Sequence, residues 1–496
     1  MNDNNTSAIV SKVWSFCNPL RDIGVGYGDY LEQLTYLLFL KMADEFSKPP
    51  YNRKLPIPKE YDWESLTAKR GDTLELHYTK LLSELSRQKG ILGQIFVQSQ
   101  NKIKEPAMLY KIIDMIDKEQ WATLGADIKG TIYEGLLEKN AEDTKSGAGQ
   151  YFTPRALIRA MVECVQPQPK KTIADPACGT GGFFLAAYDF IAKGNLDKDQ
   201  KQFLKFKTFF GNEIVANTRR MCLMNMFLHN IGDFDSENFI SPADALIATS
   251  PTTYDYVLAN PPFGRKSSMT ATNEEGEEET DELTYNRQDF WETSSNKQLN
   301  FVQHIRTMLK STGMAAVVVP DNVLFEGGAG ETVRKKLMET TELHTILRLP
   351  TGIFYKQGVK ANVFFFDNKV ASKEHWTKEI WFYDFRTNIH FTLKKNPLKL
   401  EDLRDFITCY NPNHRHKRKE LYNAETNPEG RWRKFSYDEI IARDKTSLDI
   451  SWIKDKSLTD LDNLPDPDVL AGDIIENLEA GLESFREIMI TINGKE

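Results

Sequence analysis

The stretch that most limits what this chain can fold into is residues 255–264, Asp-Tyr-Val-Leu-Ala-Asn-Pro-Pro-Phe-Gly. Its first half is a short apolar run of the kind a buried parallel strand needs. Its second half cannot continue a ladder. Pro261 and Pro262 lack backbone N–H donors and hold φ fixed, and Asn260, preceding proline, is pushed towards an extended conformation. The strand must therefore stop with an amide, bare carbonyls and the ring of Phe263 at its carboxyl end, the edge where open α/β sheets bind ligands. Those groups suit a planar amine. The Asn260 side-chain oxygen and the Pro261 carbonyl can each accept one N–H of an exocyclic base amine, leaving the nitrogen lone pair aimed at an electrophile. Phe263 offers a face for a flipped-out base. By itself, Asn-Pro-Pro-Phe equally describes a strand ending in a turn with Phe263 capping the core.

The residues upstream narrow the choice. Thr153 and Pro154 read as the N-cap and first position of a helix running to Val165. Residues 172–184, Thr-Ile-Ala-Asp-Pro-Ala-Cys-Gly-Thr-Gly-Gly-Phe-Phe, read as a strand ending at Asp175, then a glycine-rich turn feeding a helix over 183–192. The spacing is neither GxGxxG nor a P-loop, so a nucleotide-like ligand without a phosphate fits better. A second strand over 207–211 runs into Glu213, placed where dinucleotide folds hold ribose hydroxyls. A Met- and Leu-rich helix over 216–229 follows. Asp244 comes after the third strand and could accept from an adenine amine.

A capped helix, a glycine-rich turn, an acid after strand two, an acid after strand three and Asn-Pro-Pro-Phe after strand four form one constellation. It resembles the amino-group methyltransferases that use S-adenosyl-L-methionine. With residues 148–154 (AGQYFTP), 175–184 (DPACGTGGFF), 260–264 (NPPFG) and 300–305 (NFVQHI), the chain resembles the modification subunit of type I restriction–modification systems over roughly residues 15–390. That resemblance implies an α/β, Rossmann-like S-adenosylmethionine-dependent methyltransferase domain at 148–390, an N-terminal helical domain at 1–147 and a C-terminal region at 391–496. It implies DNA adenine-N6 methylation. Gln150, Tyr151, Phe152, Thr153, Pro154 and Arg155 would close over the methionine part of the donor. Asp175, Gly179, Thr180, Gly181 and Gly182 would line its amino-acid and sulfonium region, Glu213 its ribose and Asp244 its adenine. Asn260, Pro261, Pro262 and Phe263 would take the target adenine. In-line positioning beside a strong electrophile does most of the work, so neither a metal nor a covalent nucleophile is expected. Phe263 stands where a tyrosine would keep a hydroxyl, which leaves cytosine N4, RNA or a protein glutamine amide as other planar amines to weigh. A scaffold that has lost turnover is the non-enzymatic alternative.

Charge bears on partners. With a net charge of −8, the chain lacks the basic balance of a free-standing nucleic-acid binder. Nothing after Val370 looks large or basic enough to read base edges. Sequence recognition of double-stranded DNA is therefore expected on another chain; the resemblance to type I modification subunits implies that this is a specificity subunit, joined by a restriction subunit, with two modification subunits per specificity subunit. Residues 468–490, set apart by Pro465 and Pro467, place Ile474 (or Ile475), Leu478, Leu482, Phe485 and Met489 at helical spacing, a stripe that suits packing on the chain's own body or, equally, a coiled coil of the kind the family's specificity subunit supplies. Five scattered cysteines without a CxxC pair suit a reducing cytosol. The polar start and the lack of a long uncharged apolar run predict neither secretion nor a membrane span.

The remaining expectations concern architecture. Apolar clusters at 30–42, 81–95 and 127–139 predict N-terminal helices. Residues 265–297, with the acidic run 274–279, predict a solvated mobile loop. Further strands are expected at 314–319, 345–349, 361–367 and 381–385, with 361–367 as an antiparallel edge, and a helix at 301–309. The basic cluster 415–419 reads either as a solvated loop or as a phosphate contact. His414 and His416 are too crowded by cations for a metal site.

Overall fold

The computed structural model describes residues 15, 27–50, 52, 56–121, 153–233, 239–263, 268–272, 278–282, 285, 287–354, 359–393, 396–456, 471, 472, 474, 475, 478 and 482. These include backbone only for 27–31, 228, 268–272 and 278–282. The chain forms two compact units. One comprises Met1–Phe152, Val165–Pro262 and Thr307–Lys310, and the other Thr153–Cys164, Phe263–Arg306 and Ser311–Glu496.

In the first unit the expected apolar clusters fold as helices. In α1 (Tyr27–Ser47), Leu34, Leu37, Leu38, Leu40 and Met42 are buried. The helix α2 (Gly71–Ser86) buries Leu74, Tyr78, Leu81, Leu82 and Leu85, the spacing of a single face. A short α3 (Gly90–Ile95) buries Ile91, Leu92 and Ile95, and α4 (Pro106–Asp117) opens on proline in its first turn and buries Leu109, Ile112, Ile113 and Ile116. Burial of this kind contributes about 1.5–3 kcal/mol per large aliphatic side chain before chain entropy is charged against it. The helix expected at 127–139 lies outside the described residues, as do Gln150, Tyr151, Phe152 and Gly264.

The same unit carries a parallel sheet of four strands: β1 (Ile173–Asp175), β2 (Phe209–Asn212), β3 (Ile240–Ser241) and β4 (Tyr254–Ala259), in the order β4-β1-β2-β3. Between them run α5 (Gly182–Ala192), α6 (Lys198–Phe206) and α7 (Ala216–Leu228). Asp197 starts α6 with a capping box, its carboxylate accepting from the Gln200 N–H at 2.8 Å. Asp255 pins the start of β4. It accepts from Lys171 and Lys310 at 3.0 and 2.7 Å and from the Thr172 N–H at 3.0 Å. Burial alone would raise its pKa, but these bonds hold its carboxyl well below the usual range.

The second unit begins with the helix Arg155–Val165, one residue later than expected. The Ile158 N–H donates to the Pro154 carbonyl, so Pro154 is the cap rather than the first helical residue. The stretch expected to be a loop holds a hairpin, β5 (Ser268–Thr272) paired antiparallel with β6 (Glu278–Glu282). The helix α8 (Lys297–Met308) follows. Strands β7 (Leu309–Pro320), β8 (Thr341–Arg348), β9 (Ala361–Asn368), β10 (Glu379–Asp384) and β11 (Trp432–Ser436) run in the order β11-β10-β8-β9-β7. As expected, β9 is antiparallel, but it is not an edge. It pairs with β7 on one side and β8 on the other, and every residue is buried. Its continuous Ala-Asn-Val-Phe-Phe-Phe run is the signature of a strand covered on both faces. Around it pack aromatic rings, Phe365 against Tyr410 at 5.0 Å and Trp381 on Trp432 at 5.2 Å.

Candidate active site

Because β1 to β4 are parallel, their carboxyl ends share one edge, and a candidate side chain read from the sequence stands at or just past each of them: Asp175, Glu213, Asp244 and Asn260. The turn after β1 is built for close approach. Gly179 has φ +54° and Gly181 φ +84°, both in the left-handed region that glycine occupies without strain. A Cβ at Gly179 would meet nothing within 4 Å, so the backbone there borders open space. A Cβ at Gly181 would sit 3.0 Å from the Cys222 sulfur, so this second glycine serves packing onto α7.

Glu213 is tied to that turn. Its carboxylate accepts from the Gly179 N–H at 3.1 Å and from the Val215 N–H at 2.8 Å, and burial pushes its pKa up. Asp175 is 2% exposed and accepts from the Ala177 N–H at 2.9 Å. Its pKa is pushed up to about 8, by burial first and by the nearby Glu213 carboxylate as well. Asp244 caps its own loop by accepting from the Leu246 N–H at 2.9 Å. Asn260 is half-buried at the end of β4, followed by buried Pro261 and half-buried Pro262. Within the second unit, Phe263 meets the buried Phe354 edge-on at 5.9 Å. Thr153 is buried there, and Pro154 and Arg155 are half-buried.

S-adenosylmethionine presents a sulfonium, an ammonium and a carboxylate, together with a ribose diol and an adenine. Two carboxylates lie beside a turn with room next to its backbone, and Ile214 and Ile247 expose 58% and 67% of their surface in the loops of Glu213 and Asp244. The residues fit. Asn225 on α7 was not singled out from the sequence. Its side chain donates to the Thr180 carbonyl at 3.0 Å and so helps hold the turn. The available signal was an asparagine in an otherwise apolar run.

Residues 124–452 match the N-6 DNA Methylase family, and residues 9–116 match the HsdM N-terminal domain. The StySJI methylase subunit of Salmonella typhimurium is 38% identical, with 98% of this chain and 95% of that one covered. The chain belongs to the methylase subunits of type I restriction enzymes. Among solved structures, the EcoKI M protein matches with a TM-score of 0.53 and 34% identity over 98% of this chain and 96% of that one. A modification subunit of a putative type I restriction enzyme from Vibrio vulnificus shares the fold, with a TM-score of 0.70 and 23% identity over 89% and 94% of the two chains.

This methylase subunit is an adenine-specific N6 DNA methyltransferase, and its family implies S-adenosylmethionine as methyl donor. Among the described residues no helix is long and apolar enough to cross a membrane. The basic cluster does not present itself as a unit to phosphate. Arg415 pairs with Asp367, while Arg418 donates to the Tyr410 carbonyl at 2.6 Å and to the Thr345 hydroxyl at 3.0 Å and covers the Tyr410 ring. Two guanidinium groups that read as surface charge are spent on buried acceptors. Of the helix expected over 468–490 only a few positions are among the described residues, where Ile474, Leu478 and Leu482 expose 57%, 68% and 52%.

Proposed function

We propose that the edge formed by β1 to β4 binds S-adenosylmethionine through Asp175, the 179–182 turn, Glu213 and Asp244, and that Asn260 to Phe263 hold an adenine flipped out of double-stranded DNA. The observation that carries this reading is the Glu213 carboxylate bonded to the Gly179 N–H, an acid and a glycine turn joined beside open space. When bound, S-adenosylmethionine supplies an electrophilic methyl group on its sulfonium. Glu213 offers negative charge to the donor's cationic part and suits its ribose hydroxyls, and Asp175 adds its own charge to that part once it ionises. Asp244 accepts from the donor's adenine amine. The Asn260 side-chain oxygen and the Pro261 carbonyl accept the two N–H bonds of the target amine, which turns its lone pair outward. Pro262 fixes the backbone that aims these acceptors, and Phe263 stacks on the base. Proton loss follows methyl transfer and needs no strong base. Gln150, Tyr151, Phe152, Thr153, Pro154 and Arg155 are assigned to the methionine part of the donor by the family motif alone.

The chain works with a specificity subunit that chooses the site, in a stoichiometry of two methylase subunits to one, and with a restriction subunit. The acidic net charge of −8 supports placing base readout on another chain. Incorporation of labelled methyl groups into DNA, followed by nuclease digestion and mass spectrometry, tests both parts. N6-methyladenine is expected from the assembly and none from this chain alone. Methylcytosine, or site-specific methylation by the lone subunit, would overturn the respective part.

A further inference from the structure

The helix α7 lies between the N-terminal helices and the glycine turn, and its two faces serve different masters. Arg220, Leu223, Met224 and Phe227 share one face by their i, i+3, i+4, i+7 spacing, while Cys222, Asn225 and Met226 share the opposite one. On the first face Arg220 is 3% exposed and donates to Glu32 at 2.6 Å and to the Val97 carbonyl, with its guanidinium over the Tyr36 ring. The Tyr36 hydroxyl donates to the same Glu32 carboxylate at 2.6 Å. Phe227 adds ring contacts to Phe39 at 5.3 Å and Phe46 at 6.4 Å. On the second face Asn225 holds the Thr180 carbonyl, and Cys222 and Met226 underlie Gly181. At the helix start, Arg219 donates to the Glu213 carbonyl at 3.2 Å.

We propose that α7 is a rigid link through which the N-terminal helices set the affinity of the cofactor turn, with Arg220 as the positioning residue. An arginine this deeply buried and paired can adopt few alternatives, so a shift of α1 or of the Val97 segment must move α7 or break a buried charge pair. Moving α7 displaces the Thr180 carbonyl and Gly181 together, because both rest on one helical face. The link is reciprocal: donor binding at the turn steadies the N-terminal helices by the same free energy with which those helices steady the turn. A shift of α1 or of the Val97 segment therefore changes donor affinity without touching the donor. This inference rests on the donor-binding assignment made above.

The test measures donor binding to the assembled complex by titration calorimetry and hydrogen exchange of residues 178–182. Arg220→Gln is expected to weaken donor binding by about tenfold, within the usual range of coupling between sites, while methyl transfer at saturating donor stays within about twofold. Exchange at 178–182 should quicken. Glu32→Gln keeps the side chain's shape and should act in the same direction more weakly, and it decides the matter if Arg220→Gln does not fold. Arg220→Lys, which retains the charge, should recover part of the affinity. Leu76→Ala, on the exposed side of an N-terminal helix, is the control and should change nothing. The proposal falls if Arg220→Gln and Glu32→Gln leave donor affinity and exchange unchanged while Glu213→Ala weakens binding. If Glu213→Ala is also without effect, the donor site itself lies elsewhere and the link falls with it.

Discussion

The run β4-β1-β2-β3 and the run β11-β10-β8-β9-β7 are both built from buried strands, yet they spend polar residues in opposite ways. In the parallel run, acids stand at strand ends and accept from backbone N–H groups, as Asp175 and Glu213 do. Around the mixed run, arginines fasten neighbouring segments: Arg334 from the helix Ala329–Thr340, Arg348 from the end of β8 and Arg386 from just past β10. Arg334 is 1% exposed and donates to the carbonyls of Val323, Glu326, Lys445 and Thr446, and Arg348 and Arg386 are anchored likewise. A carboxylate held by one or two N–H bonds leaves lone pairs for a ligand, whereas a guanidinium such as that of Arg334, with all three nitrogens engaged, only fastens chain to chain. The difference separates the region proposed to bind the donor from one fastened for stability.

The sharpest way to break that contrast is Asn260→Ala against Arg334→Met. Losing the amide should lower methyl transfer on the order of 100- to 1000-fold, the size found when a transition-state hydrogen-bonding group is removed, with melting temperature and donor affinity unchanged. Arg334→Met should instead cost about 3 kcal/mol of stability, because it orphans several buried carbonyls, and should leave donor affinity of the surviving folded protein intact. Urea melts and donor titrations on both variants give the result. A melting temperature lowered equally in both would erase the distinction.

Next in size come the two glycines. Gly181→Ala combines a left-handed backbone with a 3.0 Å approach to the Cys222 sulfur, whereas Gly179→Ala meets only the backbone strain. The strain costs roughly 1–2 kcal/mol. Gly181→Ala should therefore lower stability more, and Gly179→Ala should act chiefly on donor binding, whose open space it narrows.

The two regions should also answer pH with opposite signs. Asp175 keeps its proton in the fold up to about 8, while an unfolded aspartate releases it near its ordinary value. The folded state then binds more protons across that window, and this group's contribution to stability falls as pH rises. His344, in the second region, is buried and its pKa is pushed down to about 4, by burial and then by Arg415. There the unfolded state binds more protons, so its contribution is lost as pH falls from the ordinary histidine value towards 4. Urea melts of Asp175→Asn and His344→Gln from pH 5 to 9 check both slopes. Donor affinity should rise as Asp175 ionises, by up to about tenfold per pH unit, and Asp175→Asn should flatten that slope.

How much was legible from residues alone differs between the regions for the same reason. Asp175, Glu213 and Asn260 could be read because proline, glycine and an acid at a strand end announce themselves locally, through φ, missing N–H groups and chain order. The antiparallel β9 was recognised as a strand but placed at an edge, since pairing on both sides depends on β7 and β8, which sequence order does not rank. The loop expected over 265–297 contains a hairpin whose pairing no charge count reveals. Arg415 and Arg418 looked like surface charge because only the folded chain brings Asp367, Thr345 and the Tyr410 carbonyl to them.

By itself, the amino-acid sequence determined where strands must stop, which turn must be glycine, and hence the order of an acid, a turn and an amide along one sheet edge. These are consequences of covalent geometry acting over a few residues. Only the tertiary structure decided that Arg220 meets Glu32 and the Val97 carbonyl while Asn225 meets the Thr180 carbonyl, and that Glu213 reaches the Gly179 N–H across 34 residues of chain. Such contacts are made by burial, and which distant groups share a buried space is a property of the whole packed core.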